Sequence, residues 1–229
     1  MESVAVRRAT IILVACAAAC ATTQPSGTTA ATAATPQATQ SALPPGHVPR
    51  DSMSSTLIPA GLGTVRQDSI AIVLQPEGVR VLAIPLDESV IRVLAPDVYR
   101  SLHATLESKR QLIMQRAAMH SVREPRVWVV RFIGLTPDAR FVPTDFTVTS
   151  GGREYRPFDI IPLSPGFGSQ RLQPREQQSA LLLFEEGLDV SQPLVVTMGS
   201  QRNTDWETIL LKTIDPERAA IRARAGSRP

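Results

Sequence analysis

The chain has 229 residues, of which 43% are hydrophobic, so it is long enough for one globular domain with additional segments. Its 24 Lys and Arg residues nearly balance 21 Asp and Glu residues, and the formal net charge is +3. This balance excludes the broad basic surface that nucleic-acid-binding proteins use, and we expect no nucleic-acid partner.

The first twenty residues have the pattern of an export signal. Arg7 and Arg8 precede a short apolar run from Ala9 to Ala15, which three further alanines prolong. The run is shorter than the roughly 20 apolar residues that a membrane-spanning helix needs. The sequence Leu13-Val14-Ala15-Cys16 resembles the lipobox of bacterial lipoproteins, in which a small residue precedes the cysteine that receives diacylglycerol. Cys20, after three alanines, is the alternative acceptor.

This resemblance implies a lipid anchor at Cys16 or Cys20, and therefore a membrane as the first partner. The residue after either cysteine is Ala rather than Asp, which by analogy with Gram-negative lipoproteins implies the outer membrane, with the domain facing the periplasm. The alternative is an ordinary secretory signal that is cut after Ala19 without lipidation. Because both cysteines lie in this segment, we expect neither a disulfide nor thiolate chemistry in the globular part.

Residues 21–60 consist largely of Ala, Thr, Ser, Pro and Gln. Such a segment buries too little apolar surface to offset the entropy lost on ordering, so it is predicted to be a disordered tether. The globular, β-rich domain is predicted for residues 61–214. The Arg-rich residues 215–229 are expected to form a flexible tail, with a short frayed helix as the alternative.

The first elements of the domain are a hairpin, a third strand and a helix. Two apolar runs flank Pro76-Glu77-Gly78 and predict a β-hairpin over residues 69–75 and 79–85. Residues 90–94 are predicted as a short strand. Pro96 and Asp97 then form a helix-start signal. Apolar residues follow at spacings of four and seven, which predicts an amphipathic helix over about 97–119: Val98, Leu102, Leu106, Ile113 and Ala117.

The second half of the domain is predicted to consist of strands and turns. The run 127–134 is apolar on both faces and is predicted to be a central strand. A hairpin is predicted over residues 141–149 and 155–161, around Ser150-Gly151-Gly152. Further strands are predicted at 178–184, 194–198 and 208–212. The fold class that follows is mainly β: an immunoglobulin-like β-sandwich with one long amphipathic helix, with an α+β fold as the alternative.

Residues 125–200 also resemble the immunoglobulin-like domains of bacterial lipoproteins of unknown function. The resemblance rests on a strand–turn–strand pattern and on the turn Leu172-Gln-Pro-Arg-Glu176 before the next strand. It implies a sandwich fold but carries no functional residues.

Motifs for catalysis or metal binding are absent from the sequence. It contains no Gly-x-Ser-x-Gly, Ser-x-x-Lys or His-Glu-x-x-His pattern, and no phosphate-binding loop with its lysine. His103 and His120 are too far apart along the helix to form a metal-binding pair. We therefore assign no catalytic residues, metal ligands or cofactors, and nothing positive supports an enzyme.

Two loops contain candidate binding residues. The loop between Leu163 and Glu176 is glycine-rich, and in it Phe167 could be a contact anchor while Arg171 and Arg175 hold an acidic partner. Trp206 is a second candidate anchor. The alternatives are that Phe167 folds back into the core beside solvated arginines, and that Trp206 is buried.

The sequence thus favours a lipid-anchored, non-catalytic module that binds or assembles proteins in the cell envelope. The alternative is an enzyme or ligand-binding protein that acts on envelope glycans or lipids.

Overall fold

The computed structural model describes residues 58–226. The predicted export segment with Cys16 and Cys20, the predicted tether up to residue 57, and residues 227–229 lie outside this part of the chain.

Eleven strands are present in the described residues. In chain order they are β1 Ile72–Leu74, β2 Val79–Pro85, β3 Arg126–Gly134, β4 Ala139–Arg140, β5 Phe146–Ser150, β6 Arg153–Tyr155, β7 Asp159–Pro162, β8 Arg171–Leu172, β9 Gln177–Phe184, β10 Leu194–Met198 and β11 Gln201–Asn203. All strand pairs are antiparallel. They form a five-stranded sheet in the order β1-β2-β3-β9-β7, a four-stranded sheet in the order β11-β10-β5-β6, and the ribbon β4-β8.

Strand β3 lies at the centre of the larger sheet. It pairs with β2 from Val79↔Gly134 to Pro85↔Trp128, and with β9 from Arg126↔Phe184 onward. Its side chains alternate, and Trp128, Val130 and Phe132 are all fully buried. The central position predicted for this run is confirmed.

The two large sheets pack face to face around an aromatic core. The Trp128 ring of β3 lies 6.0 Å from the Phe146 ring of β5 and 6.0 Å from the Phe184 ring of β9. All three side chains are fully buried. Each buried aromatic removes about 150–250 Å² from water, so this contact between the sheets is a main source of stability. The predicted fold class, mainly β and sandwich-like with a long helix, is confirmed.

The long helix is α2, Pro96–Met119, and its bounds agree with the predicted 97–119. Proline occupies the first turn, where its missing N–H has no helical partner to lose. Leu102, Ile113 and Ala117 are buried, as the apolar spacing predicts. At the end of the helix, the His120 ring lies 5.0 Å from the Phe158 ring, so this end lies beside the segment that leads into β7.

The predicted strand at residues 90–94 is wrong. Residues Glu88–Ile91 form a short helix, α1, because Asp87 caps it by accepting a hydrogen bond from the Ser89 backbone N–H at 2.9 Å. Leu94 keeps one strand-like feature, a single parallel bridge to Val65.

The C-terminal region also differs from expectation. Residues Trp206–Leu210 form a π-helical turn that continues into the helix α3, Leu211–Gly226, so the predicted strand 208–212 is wrong. Residues 215–226 are helical, so the helix offered as the alternative to a flexible tail is the structure observed. Trp206, Leu210 and Ile214 are spaced by four and are all buried, which is a helical pattern.

Side chains of α3 also contact the beginning of the domain. Arg218 donates to the Ser89 carbonyl at 2.8 Å, and Glu217 accepts from the Thr64 N–H at 3.1 Å. Arg224 donates to the Leu62 carbonyl at 3.0 Å. These contacts fix the helix against the domain.

No helix between residues 58 and 226 is both long and apolar enough to cross a membrane.

Candidate functional site

The loop predicted to bind a partner is folded tightly against the end of the sandwich. Gly166, at φ 78°, turns the chain into a short 3-10 helix, Phe167–Ser169, and β8 follows directly. A positive φ is accessible to glycine at little energetic cost, which explains its presence here.

Phe167 faces the core and not the solvent. Its side chain is 6% exposed, and its ring lies 5.4 Å from the Phe141 ring and 6.0 Å from the Phe132 ring. Burying a large apolar ring is more favourable in free energy than exposing it to water, even when the ring belongs to a polar loop. Of the two placements that the sequence allows, the one in the core is observed, and Phe167 is not a solvent-facing contact anchor.

Trp206 is also buried. It is fully inaccessible, its Nε1–H donates to the Val190 carbonyl at 2.9 Å, and its ring lies 6.5 Å from the Trp128 ring. The indole thus has both an apolar contact and an acceptor, which is the usual arrangement for a buried tryptophan. Trp206 provides no exposed anchor either.

Arg171 lies opposite a second arginine that the sequence did not single out. In the β4-β8 ribbon, Arg140 and Arg171 are direct register partners, and both are exposed. Directly opposed side chains of an antiparallel pair lie on the same face, where like charges repel. Asp138 lies 3.5 Å from Arg171, whereas Arg140 has no ion pair among residues 58–226. We call this pair the arginine ribbon.

Arg175 is exposed nearby, at the end of the same loop. Its backbone, at φ 68°, donates an N–H to the Gly134 carbonyl at 2.8 Å. A Cβ at Gly134 would lie 2.2 Å from the Gln173 carbonyl oxygen, so loop and strand are in close contact here. Within the described part of the chain, the Arg175 side chain has no ion pair.

Hydrogen bonds from the buried Gln178 side chain and to the Glu176 carboxylate connect β8 to the start of β9. The Gln178 side chain is 3% exposed and donates to the Arg171 carbonyl at 3.2 Å and to Glu176 at 3.1 Å. Glu176 also accepts from the Gln173 N–H at 2.8 Å. Hydrogen bonds from Gln173 and then Gln178 lower the pKa of the Glu176 carboxyl below its usual range. The arginine ribbon is therefore presented on a fixed base.

A cleft of about 470 Å³ adjoins the ribbon at this end of the sandwich. Arg140 and the exposed Val142 line it, together with residues 76–78 and 198–200. Its other charged residues are the carboxylates Glu77, Asp138 and Asp145. The cleft thus places the Arg140 guanidinium beside an exposed apolar side chain, a combination that protein interfaces use.

The described residues contain no cluster of three His, Cys, Asp or Glu side chains that could hold a metal ion.

Arg140 was missed because its strand has only two residues and shows no periodicity. Only the long-range pairing of residues 139–140 with 171–172 brings the two arginines together. An arginine in a short turn-like segment does not by itself indicate that a second arginine lies opposite it.

No family model, no curated protein and no solved structure matches this chain.

Proposed function

We propose that this protein is a lipid-anchored, non-catalytic module of the cell envelope that binds an acidic partner protein through the arginine ribbon. The anchor at Cys16 or Cys20 and the envelope location rest on the sequence of the first twenty residues. The surface that binds the partner rests on the fold.

The observation that carries the proposal is the opposition of Arg140 and Arg171. Two guanidinium groups on the same face repel each other, and only Arg171 has a carboxylate partner within the described residues. A carboxylate of a partner protein would relieve this repulsion and could accept two parallel hydrogen bonds from Arg140.

The surroundings support a protein partner over a free ion. Val142 is 43% exposed at the edge of the cleft and Leu135 is 50% exposed in the turn that precedes β4. Apolar residues beside arginines are typical of protein interfaces, where arginine is enriched and water is excluded around it.

The anchor is tested by mass spectrometry of the mature N-terminus from membrane fractions. We expect an acylated cysteine at position 16, with Cys16→Ser abolishing membrane association and Cys20→Ser leaving it unchanged. The reverse pattern would assign the anchor to Cys20. A mature N-terminus without an acyl group, such as an unmodified Cys20 after cleavage behind Ala19, would refute lipidation.

The binding surface is tested by photo-crosslinking in intact cells. A photoreactive amino acid replaces Val142, and a control replaces Ile209, which is 54% exposed and does not line the cleft. We expect a discrete adduct at position 142 only. It should disappear in the double variant Arg140→Glu and Arg171→Glu.

A matched variant separates this effect from a general loss of positive charge. Arg100→Glu and Arg222→Glu reverse the same number of charges on the two long helices. An adduct lost equally in both double variants, or a captured protein whose contact surface lacks carboxylates, would refute the proposed mode of binding.

A further inference from the structure

A second cavity, which the sequence did not indicate, lies between α2, the end of β2 and the start of β3. It has a volume of about 210 Å³. Leu106, Ile113 and Met114 of the helix form one wall, and Leu86, Val127 and Trp128 form the other. Nine of the twelve lining residues are apolar, and the other three are Asp87, Arg110 and Arg126. We call it the apolar cavity.

Two residues that line this cavity have buried N–H groups without acceptors. Within residues 58–226, neither Trp128 Nε1 nor Arg126 Nε has a hydrogen-bond partner. The contrast with the other tryptophan is direct, because Trp206 Nε1 donates to Val190. Buried indole N–H groups nearly always have an acceptor, and leaving one unpaired is unfavourable. Two unpaired donors therefore point to an acceptor that the described chain does not supply.

A polar depression of about 430 Å³ adjoins the apolar cavity. The two share Asp87, Arg126 and Val190. Arg126 thus lies at the junction, where Asp87 contacts one of its terminal nitrogens at 3.5 Å while Nε stays unpaired. An apolar space that opens through an arginine into a polar one matches a molecule with an apolar chain and a polar head.

We propose that this paired site binds a small amphiphilic carboxylate. Its chain occupies the apolar cavity, and its carboxylate oxygens accept hydrogen bonds from Arg126 Nε and Trp128 Nε1. The cavity is somewhat larger than the ~150 Å³ that holds a benzene molecule, so the chain has about six to eight carbons. The site is independent of the arginine ribbon, because the two share no residue.

Hexanoate is the probe, and the two tryptophans provide the readout. The full chain with Cys16→Ser and Cys20→Ser, which removes both candidate acylation sites, is labelled with ¹⁵N and purified without detergent, so that no other amphiphile competes. Its spectrum contains two indole N–H signals in all, and Trp128→Phe identifies that of Trp128. We expect millimolar hexanoate to shift the Trp128 signal downfield and saturably, because that N–H gains an acceptor. The Trp206 signal, already hydrogen-bonded, should move less.

Hexylammonium tests the head group at equal chain length. It donates hydrogen bonds and accepts none, so it should bind at least tenfold more weakly than hexanoate. Equal or tighter binding of hexylammonium would mean that the carboxylates of Asp87 and Asp189, which both line the polar depression, dominate the junction, and would overturn the assignment of a carboxylate.

Two variants test the location. Leu106→Phe fills part of the cavity from a half-buried helix position and should abolish the shift. If that variant does not fold, Met114→Phe serves the same purpose from a side chain that is 49% exposed. Arg126→Gln should weaken binding at least tenfold, while Arg131→Gln, an exposed arginine on the same strand, should leave it unchanged.

A folded wild-type chain whose Trp128 signal does not respond to hexanoate would overturn the proposal. So would a shift that persists after the cavity is filled.

Discussion

Replacing Phe167 by alanine tests whether this side chain is part of the core or a contact residue for a partner. If the ring belongs to the core, as its 6% exposure indicates, Phe167→Ala removes packing and lowers the free energy of unfolding. If the ring instead served only a partner, stability would remain unchanged and only binding would suffer.

The expected loss is about 3–4 kcal/mol. Buried Phe→Ala substitutions cost about 3–5 kcal/mol. Part of this is the loss of two aromatic contacts, the edge-on one with Phe141 at 5.4 Å and the tilted one with Phe132 at 6.0 Å. Phe167 lies in a loop, which can close partly over the void, so we expect the lower end of the range.

Urea unfolding followed by tryptophan fluorescence measures the change. With a slope of about 1–3 kcal/mol per molar urea, the midpoint should fall by at least 1 M. Arg175→Ala, in the same loop but exposed, is the matched control and should change stability by less than about 0.5 kcal/mol. Equal stability of Phe167→Ala and Arg175→Ala would refute the placement of this ring in the core.

Three further outcomes follow from the structure. Gly134→Ala should destabilise the protein by more than about 2 kcal/mol in urea unfolding, because its Cβ would lie 2.2 Å from a backbone carbonyl oxygen of the facing loop. Gly168→Ala is the control and should be nearly neutral, because its Cβ would have nothing within 4 Å. Ile214→Ala should cost about 2–5 kcal/mol if α3 is part of the core, and no loss would mean that the helix is dispensable. Hydrogen bonds from the Ser191 hydroxyl and then its backbone N–H lower the pKa of Asp189. The contribution of this carboxylate to stability is therefore present above its usual pKa and is lost as pH falls below about 4. Asp189→Asn should flatten this acid dependence of the free energy of unfolding, and an unchanged profile would contradict the assignment.

Most of the sandwich could be predicted from local patterns. The continuous apolar run around Trp128 and the apolar spacing in α2 are properties of short windows, and both predict the observed element. The errors occurred where a short apolar run fits either type of structure. Residues 90–94 and 208–212 are both such runs. The first is helical at its start because Asp87 caps the helix, and the second is helical because the buried residues from Trp206 to Ile214 have helical spacing.

The candidate sites could be predicted less well, because they depend on contacts between distant parts of the chain. The loop arginine Arg171 was identified, but its partner Arg140 becomes visible only through strand register. Phe167 was placed among contact residues because glycines flank it, although the same sequence allows it to fold inward. Nothing local indicates that Arg126 and Trp128 share a cavity with α2, since that contact is tertiary.

The hydrogen bonds between α3 and the start of the domain have a consequence for the timing of folding. Glu217 and Thr64 are 153 residues apart in sequence, and Arg224 and Leu62 are 162 apart. The ribosome must therefore have synthesised the chain through residue 217 or 224 before these bonds can form. Contacts of such long range slow folding. On the proposed export route, this delay would keep the growing chain unfolded enough to pass through a translocation pore, and the native state would be completed only on the far side.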